Sequence, residues 1–140
     1  MKITKVTFDE STFGSTGKSL RMLRNAVADT LHCKTLVLEI PTNDICCGFL
    51  VINKDDESAI WSGDGFRFDK GGEGGRGYLA AHKMLDTFGI KYFSVYSQEA
   101  ITEFKKALNP LNDFVGACNK VAEDFSEEYY KCAYDLIPYY

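Results

Sequence analysis

Residues 35–53, TLVLEIPTNDICCGFLVIN, decide the predicted fold. Residues 35–40 and 47–53 are runs of β-branched and aliphatic side chains, which favour β-strands. Between the two runs, Pro41, Thr42, Asn43 and Asp44 are turn residues. Two strands joined by so short a connection run antiparallel, because a parallel pair needs a crossover of a dozen or more residues. The segment therefore predicts a β-hairpin.

The sequence on either side of the hairpin extends this pattern. Further strands are predicted at residues 2–8, 59–62, 65–69 and 91–96. Helical spacing of apolar residues predicts helices at 17–32, 77–88 and 98–108. Because short polar turns separate the successive strands 35–69, the sequence predicts a single α+β domain over residues 1–140. Its antiparallel sheet has five or six strands and is packed by helices.

The C-terminal region predicts a long amphipathic helix. Its apolar residues alternate in steps of four and three, at Leu111, Val115, Cys118, Ala122, Phe125, Tyr129, Cys132 and Leu136. This spacing puts one narrow stripe on one face of a helix about 39 Å long, at 1.5 Å per residue. The stripe either covers the sheet or packs against another copy of the chain. The second alternative predicts a homo-oligomer through residues 111–136.

Composition and charge restrict the class of protein. Hydrophobic residues make up 45 % of the 140 residues and charged residues 26 %, which is typical of a folded chain. The net charge of −4 disfavours general nucleic-acid binding and attachment to an anionic membrane. No apolar run approaches the length of about 18 residues that a membrane helix needs, and no signal peptide is evident. With five cysteines, an odd number, the sequence predicts a cytoplasmic protein with reduced thiols.

Residues 63–77, GDGFRFDKGGEGGRG, hold seven of the twelve glycines. A flexible linker is the least favoured interpretation, because charged residues are interleaved throughout the segment. Residues 72–77 match the pattern GxGxxG of dinucleotide-binding proteins. The strand before them alternates with charges, however, whereas the first strand of such a domain is apolar on both faces. The glycines still predict a backbone that approaches an anion closely at the start of a helix.

The predicted ligand site combines backbone, charge and an aromatic ring. Gly72, Gly74, Gly75 and Gly77 supply backbone N–H groups, Arg67 and Arg76 supply charge, and Asp64, Asp69 and Glu73 orient the arginines, with Tyr78 stacking on the ligand. A cation in the first turn of a helix opposes the helix dipole, so Arg76 at that position indicates a bound anion. The alternative is a purely structural turn, in which Glu73 caps the helix and Arg76 pairs with Asp64 or Asp69.

Groups for acid–base chemistry are scarce, because the chain has only two histidines. His82 in the helix after the glycines is interpreted as packed or solvated, and no catalytic residue, cofactor or bound metal is predicted. The sequence therefore favours a non-enzymatic protein that binds a small phosphate-bearing molecule, such as a nucleotide, to sequester or sense it. One alternative is a protein–protein interaction module that uses the tyrosine-rich C-terminal helix. Another is a small metal-dependent phosphate-ester hydrolase with Asp64, Asp69 and Glu73 as metal ligands.

Overall fold

A computed structural model describes residues 2–28, 35–108 and 113–123 of the chain. The elements of the described residues are β1 (Lys5–Thr7), a 3-10 turn (Glu10–Thr12), α1 (Thr16–Ala28), β2 (Thr35–Pro41), β3 (Cys46–Asn53), β4 (Ser58–Trp61), β5 (Phe66–Arg67), α2 (Gly72–Thr87), β6 (Tyr92–Ser94), α3 (Gln98–Leu108) and α4 (Phe114–Ala122). Among these helices, none has the length and apolar character that a membrane span requires.

The strands form one sheet in the order β1-β4-β3-β2-β6, and β5 pairs with the first residues of β3. The predicted hairpin is confirmed, since β2 runs antiparallel to β3 from the pair Thr35–Asn53 to the pair Pro41–Cys47. Strands β4 and β5 also run antiparallel to β3. The edge strands differ, because β1 runs parallel to β4 and β6 runs parallel to β2.

The α+β class is confirmed, but the prediction of an antiparallel sheet is wrong at both edges, where the sheet is mixed. Turn length sets the relative direction only of strands that follow each other directly along the chain. Strand β6 arrives after α2 and pairs with β2, while β1 pairs with β4. The direction of these edge strands depends on how the intervening helices pack, and local sequence does not report that.

Helices cover both faces of the sheet. Strands β2 and β3 each bury six consecutive residues, as strands do when both of their faces are covered. Leu36, Leu38 and Ile40 of β2 pack into a core with α3 and α4. Val37 packs into a second core with α1 and α2. Because side chains alternate along a strand, Glu39 also faces the layer of α1 and α2.

Helix α2 begins at Gly72 rather than at the predicted residue 77, so residues 72–77 of the glycine-rich segment are helical. Glycine is a poor helix former, and tight packing explains its presence here. A Cβ atom on Gly75 would lie 2.1 Å from the carbonyl carbon of Lys70. A Cβ atom on Gly77 would lie 2.3 Å from the methyl group of Thr16. These glycines let the chain fold back on itself and let α1 approach α2 closely.

The predicted C-terminal helix is described only in part. Helix α4 contains Val115, Cys118 and Ala122 of the predicted stripe, and the last two are buried in the core of the α3–α4 layer. Residues 109–112 and 124–140 lie outside the described residues. Most of the long helix and of the predicted oligomer surface at 111–136 therefore remains a prediction.

Candidate functional site

Asp64 of the predicted site holds three loops together. Its Oδ1 atom accepts a hydrogen bond of 2.6 Å from the backbone N–H of Gly14, just before α1. Its Oδ2 atom accepts one of 3.4 Å from the hydroxyl group of Thr42, in the turn between β2 and β3. The Asp64 carboxylate thus links the connection between β4 and β5 to both neighbouring loops. Both of its hydrogen-bond donors are groups of the protein itself.

Arg67 and Asp69 form a two-pronged ion pair. Arg67 donates from Nε to Oδ1 at 3.0 Å and from Nη2 to Oδ2 at 2.6 Å. Oδ1 of Asp69 also accepts the backbone N–H of Gly71 at 3.0 Å. These hydrogen bonds hold the pKa of Asp69 below its ordinary value and raise the pKa of Arg67. Asp69 therefore places a negative charge beside the start of α2, where a carboxylate interacts favourably with the helix dipole.

The start of α2 differs from the predicted cradle. Gly72 has φ 62°, in the left-handed region, and Gly74 packs against the side chain of Arg67. Glu73 is exposed in the first turn, and the N-cap is Gly71, which makes no side-chain capping hydrogen bond. Arg76 is exposed in the second turn, so its charge does not oppose the dipole at the first turn as predicted. Within the described residues Arg76 forms no ion pair, and neither Asp64 nor Asp69 pairs with it.

Tyr78 points into the protein instead of offering a surface for stacking. Its hydroxyl group donates to Glu39, lying 3.0 Å from Oε1 and 3.1 Å from Oε2. Burial raises the pKa of Tyr78, and the nearby charge of Glu39 and the hydrogen bond to it raise it further. Tyr78 is thus the one predicted site residue that contacts a buried acid.

Glu39 is the centre of a buried polar cluster, which also contains Tyr78, His82 and Ser94. The Nε2 atom of His82 lies 2.9 Å from Oε1 of Glu39, and the Ser94 hydroxyl group lies 3.5 Å from Oε2. Glu39 is only 8 % exposed. A buried carboxylate is costly unless several donors satisfy it, and here three side chains from α2 and β6 do so.

Of this Glu39 cluster, the predicted site includes only Tyr78, and His82 was expected to be packed or solvated. Two signals were present in the sequence. Glu39 is the only charged residue in the strand TLVLEIP, and Tyr78 and His82 are spaced one helical turn apart. What the sequence does not show is the parallel pairing of β2 with β6, which places Ser94 opposite Glu39.

A groove of about 340 Å³ separates the outer surfaces of α1 and α2. Its lining is small or apolar except for two arginines, and consists of Gly17, Leu20, Arg21, Arg24, Ala80 and Met84. Helix α1 carries Lys18, Arg21 and Arg24 and no acidic residue, although the whole chain has a net charge of −4. The groove between α1 and α2 is therefore bordered on one side by a basic helix, α1, although the chain as a whole is acidic.

The two arginines of this groove are neighbours on α1. Arg21 and Arg24 are three residues apart, which places them side by side on the helix surface. Neither forms an ion pair with any residue that the structure describes. Arg76 lies one turn before Ala80 on α2, hence on the same side of that helix. Three guanidinium groups are thus available along the α1–α2 layer.

The described residues include no group of three or more His, Cys, Asp or Glu side chains placed to hold a metal ion. Comparisons of the chain with known protein families, with characterised proteins and with solved structures find no match. The function of this protein is therefore inferred from its own residues: the groove between α1 and α2, and the Glu39 cluster.

Proposed function

We propose that the protein binds a small phosphate-bearing ligand, such as a nucleotide, in the groove between α1 and α2, and sequesters or senses it without converting it. The observation that carries this proposal is the pair Arg21 and Arg24, which line the groove without an acidic partner among the described residues. Guanidinium groups match phosphate in geometry and charge, and two adjacent ones suit a doubly charged group.

The remainder of the groove suits the apolar part of such a ligand. Ligand sites are typically clefts of about 300–1,000 Å³, mostly apolar, with a few polar groups that fix orientation. Leu20 and Met84 offer apolar contact, while Gly17 and Ala80 leave the groove open. A base or sugar lying on these residues would leave its phosphate beside Arg21 and Arg24. This division favours an amphiphilic anion over a bare inorganic one.

The proposal keeps the ligand class expected from the sequence and moves the site. Asp69 already supplies a negative charge beside the start of α2, and Asp64 is bound to backbone and hydroxyl donors. Gly74, Gly75 and Gly77 have packing partners that explain their small size. Arg76, one turn before Ala80, lies on the side of α2 that borders the groove. We assign it to the phosphate end of the site.

A thermal-shift screen tests this proposal. The panel contains adenosine and guanosine mono-, di- and triphosphates, cyclic nucleotides, and inorganic phosphate and pyrophosphate. At a concentration of 100 Kd, a ligand stabilises the folded protein by about 2.7 kcal/mol, which is about 5–11 °C for a domain of this size. We expect at least one nucleotide to produce such a shift and inorganic phosphate to produce a smaller one.

Matched variants locate the ligand. Arg21→Ala and Arg24→Ala should each abolish or strongly reduce the shift, and Arg76→Ala should reduce it. Lys105→Ala, which removes an exposed cation from α3 on the opposite face, should keep it. A shift that survives Arg21→Ala and Arg24→Ala but disappears in Arg76→Ala would return the site to the start of α2. A panel without any stabilising member would refute the proposal.

Two expectations from the sequence accompany this function. The thiols of Cys46, Cys47 and Cys118 are unpaired, which supports a reducing location such as the cytoplasm. Oligomerisation through residues 111–136 stays a prediction, to be checked by light scattering on the full chain.

A further inference from the structure

One ring nitrogen of His82 is hydrogen-bonded to Glu39, and this contact fixes the orientation of the ring. A carboxylate accepts hydrogen bonds and cannot donate them, so the contact of 2.9 Å between Nε2 and Oε1 requires a hydrogen on Nε2. Tyr78 donates to both oxygens of the same carboxylate and holds it in place. In the neutral ring the lone pair must then lie on Nδ1.

The Nδ1 atom of His82 is accessible to solvent. It has no hydrogen-bond partner among the described residues, and His82 has a side chain that is 25 % exposed. In the described part of the chain, the Trp61 Nε1 atom is the sole side-chain nitrogen or oxygen that is both sealed from solvent and unpartnered. Nδ1 is therefore unpartnered but not sealed, and its lone pair can accept a proton from a water molecule.

Aromatic rings hold the imidazole and shape its surroundings. The ring centroid of His82 lies 4.2 Å from that of Tyr78, 4.7 Å from that of Tyr92 and 6.0 Å from that of Phe49. Glu39 and Ser94 sit near the carboxyl ends of the adjacent parallel strands β2 and β6.

Other titratable groups lie near members of the Glu39 cluster. Cys47 of β3 lies near Glu39 and Tyr78, and Tyr92 of β6 lies near Glu39 and Asp86. Burial raises the pKa of the Cys47 thiol and of both phenols, so these three groups are uncharged near neutral pH. The acidic side chains nearby are those of Glu39 and Asp86, and this acidic character disfavours anionic substrates here and favours neutral ones.

We propose that His82 is a general base for the hydrolysis of neutral carboxylic esters with an aromatic leaving group, and that Glu39 is its positioning residue. Nδ1 takes a proton from water while the water oxygen bonds to the carbonyl carbon. The tetrahedral intermediate then collapses, the bond from the carbonyl carbon to the leaving oxygen breaks, and the imidazolium returns its proton to the leaving group. Glu39 accepts the Nε2 hydrogen throughout and stabilises the transient imidazolium. Tyr92 offers its ring to the aromatic group.

Hydrolysis of p-nitrophenyl acetate by the full-length chain tests this site, and it does not depend on the phosphate ligand proposed above. General bases contribute about 10²–10⁴-fold, and we expect His82→Asn to lower the rate above buffer by about 10²-fold. His32→Asn, which removes the other histidine of the chain, should keep the wild-type rate. A His82→Asn variant that hydrolyses the ester at the wild-type rate would overturn the proposal.

Three further readouts test the site, and the first separates a positioning role of Glu39 from a merely structural one. Glu39→Gln keeps an acceptor for Nε2 but loses the charge, so kcat should fall while KM stays unchanged, and the pH of half-maximal rate should be lower. The wild-type reaction should be slower in D₂O, since a proton moves in the rate-limiting step. Diethyl pyrocarbonate should modify His82 in the native protein and abolish hydrolysis, which tests the site even where a variant fails to fold. Unmodified His82, full activity after modification, or an unchanged rate in D₂O would each count against it.

Discussion

Replacing Gly75 with alanine should destabilise the protein, although the same change in a helix is ordinarily favourable. Gly75 lies in α2, two residues after Glu73, and it is buried. A Cβ atom there would lie 2.1 Å from the carbonyl carbon and 2.3 Å from the carbonyl oxygen of Lys70. These are backbone atoms, so no side-chain rotation relieves the contact. Either the start of α2 or the preceding segment must move.

The size of the effect follows from two opposing contributions. Alanine in place of glycine inside a helix stabilises it by about 1 kcal/mol. An extra methyl group in a packed region costs about 1–3 kcal/mol, and the backbone contact at Gly75 places this variant near the upper end of about 3 kcal/mol. The expected net loss is therefore about 2 kcal/mol. In a domain of this size that corresponds to a fall in Tm of about 4–8 °C.

Differential scanning calorimetry and urea unfolding of a matched pair of variants check this prediction. Gly17 of α1 is the control, because a Cβ atom there meets nothing within 4 Å. Gly17→Ala should therefore raise the free energy of unfolding by about 0.4–1 kcal/mol. The reasoning is refuted if Gly75→Ala is as stable as the wild type, or if the two substitutions shift Tm in the same direction by the same amount.

Three other predictions concern the polar groups and the thiols. Because hydrogen bonds from Arg67 and the backbone hold the pKa of Asp69 below its ordinary value of 3.8, this carboxylate stabilises the fold above that pH and loses its contribution as the pH falls through the lowered value. Asp69→Asn should therefore show a smaller loss of stability in urea unfolding between about pH 5 and pH 3 than the wild type, and equal slopes would contradict this. Tyr78→Phe removes a donor from both oxygens of buried Glu39 and should lower the free energy of unfolding by about 1–3 kcal/mol in urea titrations, whereas an unchanged midpoint would show that solvent replaces the donor. Burial raises the pKa of the Cys118 thiol, so peptide mapping after iodoacetamide treatment of the native protein should leave Cys118 unlabelled, in contrast to its labelling in urea.

Elements that depend on neighbouring residues were predictable from the sequence. The hairpin of β2 and β3 was predicted because two apolar runs flank a turn too short for any crossover. Helix α3 has the predicted bounds, since its apolar residues repeat at helical spacing from Gln98 to Leu108. In these segments local preference and tertiary packing agree.

The start of α2 was not predictable, because glycine in a sequence can indicate either a loop or close packing within a helix. Five glycines in seven residues indicate a loop by propensity alone. In the folded protein Gly75 meets the backbone of Lys70 and Gly77 meets Thr16, so glycine is the residue that fits between surfaces distant along the chain. The shift of the helix start also removed the helix-dipole argument from which the sequence assigned an anion to Arg76.

Composition and spacing within a few residues are enough to predict the α+β class, the central hairpin and the basic character of α1. Tertiary packing creates the parallel edge strands, the groove that Arg21 and Arg24 share with α2, and the cluster around Glu39. That cluster joins a strand to a helix and to a second strand, with sequence separations of 39, 43 and 55 residues. A buried carboxylate is costly unless hydrogen-bond donors satisfy it. Here the donors come from residues far away in the sequence, so no local pattern in the chain predicts which residues they are.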